Sequence, residues 1–149
     1  MADTTLPAPT MVLTQDEKAY AGLAHALMMG TWWIGPLVIY LTKKESRFVA
    51  FHALQALLWQ IIYTVVVFGG MIVFFVIVMV TTFSMARQPN VPPQPPVTIF
   101  LLFPFVWLFI MAAAAITFTL AIMYCLKAMR GEWAGYPVIG RWARKVVGF

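Results

Sequence analysis

Apolar positions along this chain gather into three long blocks, and the charged positions fall only in the gaps between them. No charged residue stands between Lys18 and Lys43, between Arg47 and Arg87, or between Arg87 and Lys127. A helix rises ~1.5 Å per residue and the hydrocarbon core of a bilayer is ~30 Å thick, so about 20 apolar residues suffice to cross it. The pattern predicts an all-α integral membrane protein: three transmembrane helices followed by a C-terminal interfacial amphipathic segment.

Local signals divide the chain into a polar N-terminal segment (1–18), a three-span domain (19–130) and a basic tail (131–149). The first segment has no basic stretch leading into a short apolar core, so it reads as mature sequence and not as a cleavable signal. Thr14 followed by Glu17 fits a capping box, in which hydroxyl and carboxylate satisfy the first free amides of a helix. Span one is expected to start near Gln15, enter lipid around Ala19 and run to about Leu41. Gly35-Pro36 inside it predicts a kink, because an interior proline removes a backbone hydrogen bond.

Ser46 is the expected cap for span two. The first turns of that span place His52, Gln55, Trp59 and Tyr63 on one face, suited to a headgroup boundary or a helix contact. The run continues to about Phe83, longer than a bilayer requires, so the helix tilts or begins in the interface. Gly69-Gly70 offers a bend, and a four-span arrangement broken there is the alternative. Gln88 to Val97 holds five prolines and predicts an extended, polyproline-like connector. Span three is expected from Pro104, in the favoured first-turn position, to about Leu126.

Charge then sets an orientation. Lys43, Lys44 and Arg47 lie in the first connection, and Lys127, Arg130, Arg141, Arg144 and Lys145 lie after the third span. The positive-inside rule applied to three spans puts the N-terminus outside and the C-terminus in the cytoplasm of a bacterial cell. In the tail, Ile139, Trp142, Val146 and Phe149 recur at helical spacing, with Arg141, Arg144 and Lys145 opposite, which is the pattern of a helix lying in the interface. Lys43, Lys44, Arg47, Trp142, Arg144 and Lys145 are the expected interface residues. Small residues form two ridges, Gly22, Ala26 and Gly30 on span one and Ala113, Thr117, Ala121 and Cys125 on span three, where helices can approach closely.

Composition agrees with this picture: 62% of residues are hydrophobic, 10% are charged and the mean hydropathy is +0.87. The net charge of +5 is placed at the ends of spans and not in an aromatic-studded stripe, so anionic lipid headgroups are the expected partner and nucleic acid is not. No phosphate-cradling glycine loop, no paired carboxylate within a span and no nucleophile with a base can be found, so neither an enzyme nor a bound cofactor is expected. In a three-span topology His25 falls near the outer end of span one and His52 near the inner start of span two, too far apart to share one metal, and no metal site is expected. Ionisable groups inside membranes still mark places of interest. His25 and the face formed by His52, Gln55 and Trp59 are therefore the candidate recognition residues.

One resemblance adds to these readings. Ala24-His25-Ala26-Leu27, Ile34-Gly35-Pro36-Leu37-Val38-Ile39, the run from Lys43 to Ala56, and Arg130-Gly131-Glu132 leading to Tyr136-Pro137 resemble the Tic-twenty-like family of small bacterial membrane proteins. That family is otherwise a domain of unknown function, distantly related to a chloroplast envelope translocon subunit. The chain departs from its pattern at Ala50 and Leu54, where basic residues are common, in Trp133-Ala134-Gly135 before the Tyr-Pro, and in its longer connector. The resemblance implies a helical protein of the bacterial cytoplasmic membrane without established enzyme activity. Two functions are expected from the whole: an accessory or scaffold subunit of a larger membrane complex, or a translocation-related transport component that works only as an oligomer.

Overall fold

A computed structural model describes residues 12–87, 97–137 and 139–148. The described residues form five helices: α1 (Gln15–Gly30), α2 (Ile34–Thr42), α3 (Arg47–Ala86), α4 (Val97–Met129) and α5 (Ile139–Val147). Among the described residues only α3 and α4 are long and apolar enough to cross a membrane, which gives two candidate spans and not three. The expected first span is divided. The 16 residues of α1 rise only about 24 Å and the nine of α2 about 14 Å, and the chain reverses between them.

The reversal has a local cause. Thr31 ends α1, its amide and hydroxyl both donating to the Leu27 carbonyl, and Trp32 turns the chain with φ of 58°. A left-handed backbone is unfavourable for a bulky residue, and here the indole is held by a 2.9 Å hydrogen bond to Thr64 and by stacking on Phe68. Gly35 packs so closely on the α1 end that a Cβ there would overlap the Thr31 hydroxyl and Leu27. Pro36 therefore sits in the first turn of a new helix, where its missing N–H has no consequence, instead of kinking an old one.

Because α2 returns, α1 and α3 begin at the same end of the molecule. The capping box of Thr14 and Glu17 forms, and the Ser46 hydroxyl, which also caps α3, donates to Glu17 at 2.7 Å. These bonds, together with the packing of Gly131 beside Lys18, put the start of α1, the 43–46 connection and the loop after α4 at one end. The expected separation of the N-terminal segment from the first connection does not hold.

The 40 residues of α3 continue as helix through Gly69-Gly70. The expected start of span three is also corrected: α4 begins at Val97, and Pro104 lies inside it. An interior proline is tolerated in a membrane helix where neighbours and local adjustment satisfy the freed carbonyl. The expected polyproline connector lies outside the described residues, apart from Val97, which is helical. So does Phe149 of the tail pattern. In α5, Ile139, Gly140 and Ala143 are buried, with Ala143 packed on Phe51 and Leu54 of α3, while Trp142, Val146 and the basic residues are exposed.

Candidate functional site

Among the described residues, all the burial is in the half of the molecule nearest the charged end. On α3 it runs from Phe48 to Gln60 and stops; on α4 it is confined to Thr117, Ala121, Tyr124 and Ala128. Small residues make this possible. Ala21 packs with Ala128, and Met28 with Ala56 and Ala121. A Cβ on Gly22 would come within 2.7 Å of the Met129 side chain and 3.4 Å of the Cys125 carbonyl. Ala26 and Ala113 are half-buried, and Thr117 accepts a 3.1 Å hydrogen bond from the Trp59 indole. Gly30 belongs to no contact, since nothing lies within 4 Å of where its Cβ would be.

Inside this half lies a polar cluster. His25, His52 and Gln55 are fully buried and Tyr136 nearly so. His25 Nε2 lies 3.1 Å from His52 Nδ1, which overturns the expected separation of the two residues; the parallel course of α1 and α3 brings them together. His52 Nε2 is 3.1 Å from the Glu132 carbonyl, and His25 Nδ1 is 3.0 Å from the Tyr136 hydroxyl. A carbonyl only accepts, so His52 donates from Nε2 and, in an uncharged pair, accepts at Nδ1 from His25 Nε2–H. His25 Nδ1 then accepts from Tyr136. Burial, with Tyr124 and Cys125 beside it, pushes the Tyr136 phenol above its ordinary range and keeps it protonated as that donor. One direction of donation runs through all four groups.

Gln55 closes the loop after α4 onto α3. Its Oε1 accepts from the Tyr136 amide at 2.6 Å, its amide nitrogen donates to Phe51, and Tyr124 donates to the Gly135 carbonyl at 3.0 Å. Gly135 and Gly140 touch backbone to backbone, so the loop turns into α5 directly over Gln55. The expected recognition face is therefore internal. His25, His52 and Gln55 serve the chain's own 132–136 segment, and Trp59 bonds α4.

Sequence reading missed Tyr124 and Tyr136 as members of this cluster, and Gln60 and Thr64 as membrane-depth polar groups. Gln60 is 4% exposed and donates to the Met28 carbonyl, a free acceptor at the end of α1. The signal that could have found these residues was their polarity in or beside apolar blocks. Among the described residues no group of three or more His, Cys, Asp or Glu side chains is placed to hold a metal ion.

Two long apolar helices, a short helical hairpin wedged against them and a satisfied polar cluster at the charged end define a small helical membrane protein. The chain belongs to the MamF/MmsF family, described as the magnetosome magnetite crystal formation protein family, whose model matches residues 16–143. This corrects the Tic-twenty-like resemblance and removes the translocation reading that rested on it. No curated protein and no solved structure matches the chain.

Proposed function

We propose that the chain is an accessory or scaffold subunit of the magnetosome membrane, supporting magnetite crystal formation by assembling with other membrane-embedded chains and not by catalysing a reaction. The family supplies the process. The observation that carries the mode of action is the far half of α3 and α4. There the two helices leave a groove of about 340 Å³ between Val67, Gly70, Phe74, Phe105 and Phe109, lined by apolar side chains. Helices in lipid associate by close packing, and such a groove accepts a ridge from a neighbouring helix.

Charge supports an orientation. Lys18, Lys43, Lys44, Arg47, Lys127 and Arg130 stand at the end where α5 also packs, and Arg87 stands at the other. By the positive-inside rule the crowded end is cytoplasmic, with the basic side chains of α5 on anionic headgroups. The end that carries Arg87 then faces the compartment interior, and the sequence from Gln88 to Pro96 contains no Asp, Glu or His with which to ligate iron. The contribution to crystal growth is made by the helices.

The test is deletion of the chain in a magnetite-forming cell, complemented with wild type or with Gly70→Trp, which fills the groove. Altered crystal size or number on deletion, restored by wild type but not by a normally inserted Gly70→Trp, supports the reading. Normal crystals in the deletion strain, or full restoration by a chain that cross-links to no partner, contradict it.

A further inference from the structure

A second cavity, of about 390 Å³, lies at the tip of the α1–α2 hairpin, walled by Met28, Met29, Trp32, Gln60, Tyr63 and Phe118. Gln60 is about 13 residues above Arg47 and Thr117, also in the wall, is ten below Lys127 in sequence, so the cavity sits ~15–20 Å along the helices from the charged end. That is near the middle of a bilayer core whose surface lies at those charges. Met29, Trp32 and Phe118 are also exposed on the outer surface, so the cavity is reached sideways from lipid.

The amide of Gln60 has a fixed orientation. Its nitrogen donates to the Met28 carbonyl at 2.5 Å, so the oxygen cannot point there. That oxygen, Oε1, is buried and has no hydrogen-bond partner among the described residues. An acceptor at this depth without a donor is costly, because lipid supplies none. None of the lining side chains is charged, which excludes an ionic guest. The Met29 thioether and the rings of Trp32, Tyr63 and Phe118 suit a flat apolar body.

We propose that this cavity binds an uncharged, lipid-borne molecule carrying a hydroxyl donor, with that hydroxyl on Gln60 Oε1 and its apolar body between the Met29 thioether and the Trp32 and Phe118 rings. The aromatic wall favours a hydroxylated ring, as in an isoprenoid quinol; a neutral glycerolipid offers the same hydroxyl on a flexible body. The oxidised quinone carries only carbonyl acceptors and leaves Oε1 unpaired. The site therefore discriminates between the two redox forms of one compound. It stands independently of the scaffold reading, since it concerns the isolated chain.

The full chain in lipid nanodiscs is incubated with a short-chain ubiquinol kept reduced, with the corresponding quinone, or with dioleoylglycerol, and retention above empty nanodiscs is measured. Saturable binding of the quinol at least tenfold tighter than of the quinone is expected. Gly30→Phe, which projects a ring into the cavity from a position with open space, should abolish binding while leaving helicity and thermal melting unchanged. Gln60→Met should bring quinol and quinone to equal affinity. Saturable binding of dioleoylglycerol alone keeps the hydroxyl-donor site and assigns it to a glycerolipid. Absence of saturable binding of either hydroxyl compound overturns the proposal, as does equal affinity for quinone and quinol in the wild type or undiminished binding by a folded Gly30→Phe.

Discussion

The two halves of this molecule hold together by different means. Near the charged end, five segments converge and polar side chains bond across them, from Glu17 and Ser46 at the rim to His25, His52, Gln55 and Tyr136 inside. Beyond Gln60 on α3 and before Thr117 on α4 no residue is buried among those described. Lipid tails are as apolar as leucine, so burial of apolar surface gives little reason to pack there. The difference teaches that in this chain polar satisfaction, and not hydrophobicity, decides where tertiary structure forms.

The largest effects should therefore come from the polar half. Tyr136→Ala removes a buried ring, the donor to His25 and contacts to Trp59 and Tyr124. Large aromatic truncations cost ~3–5 kcal/mol in soluble cores, and a loss of that order is expected in chemical unfolding in detergent. His52→Leu leaves His25 Nε2–H and the Glu132 carbonyl without their partner. A buried group left unpaired costs ~1–3 kcal/mol. In a double-mutant cycle with Tyr136→Phe, the two changes should be non-additive, since both act through His25; additive losses would break the relay.

Gly140→Ala should follow, at ~1–3 kcal/mol, because its Cβ would lie 2.7 Å from the Gly135 backbone. Gly69→Ala in the far half gives the opposite sign. Nothing lies within 4 Å of the new methyl, and alanine in a helix is favoured over glycine by ~0.5–1 kcal/mol. Destabilisation by Gly69→Ala would show that the far half is packed more tightly than described.

The smallest expected effect is a pH dependence at the rim. Hydrogen bonds from the Thr14 amide and the Ser46 hydroxyl hold the Glu17 carboxyl below its ordinary range. A depressed carboxyl contributes stability above its unfolded pKa and loses it as pH falls through the folded one. Wild type should thus lose stability on acidification through that window more steeply than Glu17→Gln, and parallel curves would remove the carboxylate from the account.

These particulars also explain what the sequence could reveal. The caps at Thr14 and Ser46 are local, and both were legible from residue type and spacing. The block from Ala19 to Thr42 was not, because an uncharged stretch of that length fits one tilted span or a hairpin equally well. Its outcome is set by contacts distant in sequence: Trp32 to Thr64, Gln60 to Met28, Gly35 against Leu27. Once the hairpin forms, α1 runs parallel to α3, and the meeting of His25 with His52 follows. No periodicity within either helix encodes that meeting. The Tyr136 insertion was hidden for the same reason, since its partners are Gln55 and His25 and not its neighbours.

The central claim is that α1 and α2 form a hairpin returning the chain to its starting side, leaving α3 and α4 as the two spans. Single cysteines at Asp16, Lys44 and Arg87, in a Cys125→Ser background, are labelled with a membrane-impermeant thiol reagent on sealed vesicles of one orientation. The account predicts that positions 16 and 44 label together, from the side opposite to position 87. Labelling of position 16 together with 87, and of 44 from the other side, would contradict it and restore a first helix that crosses the membrane.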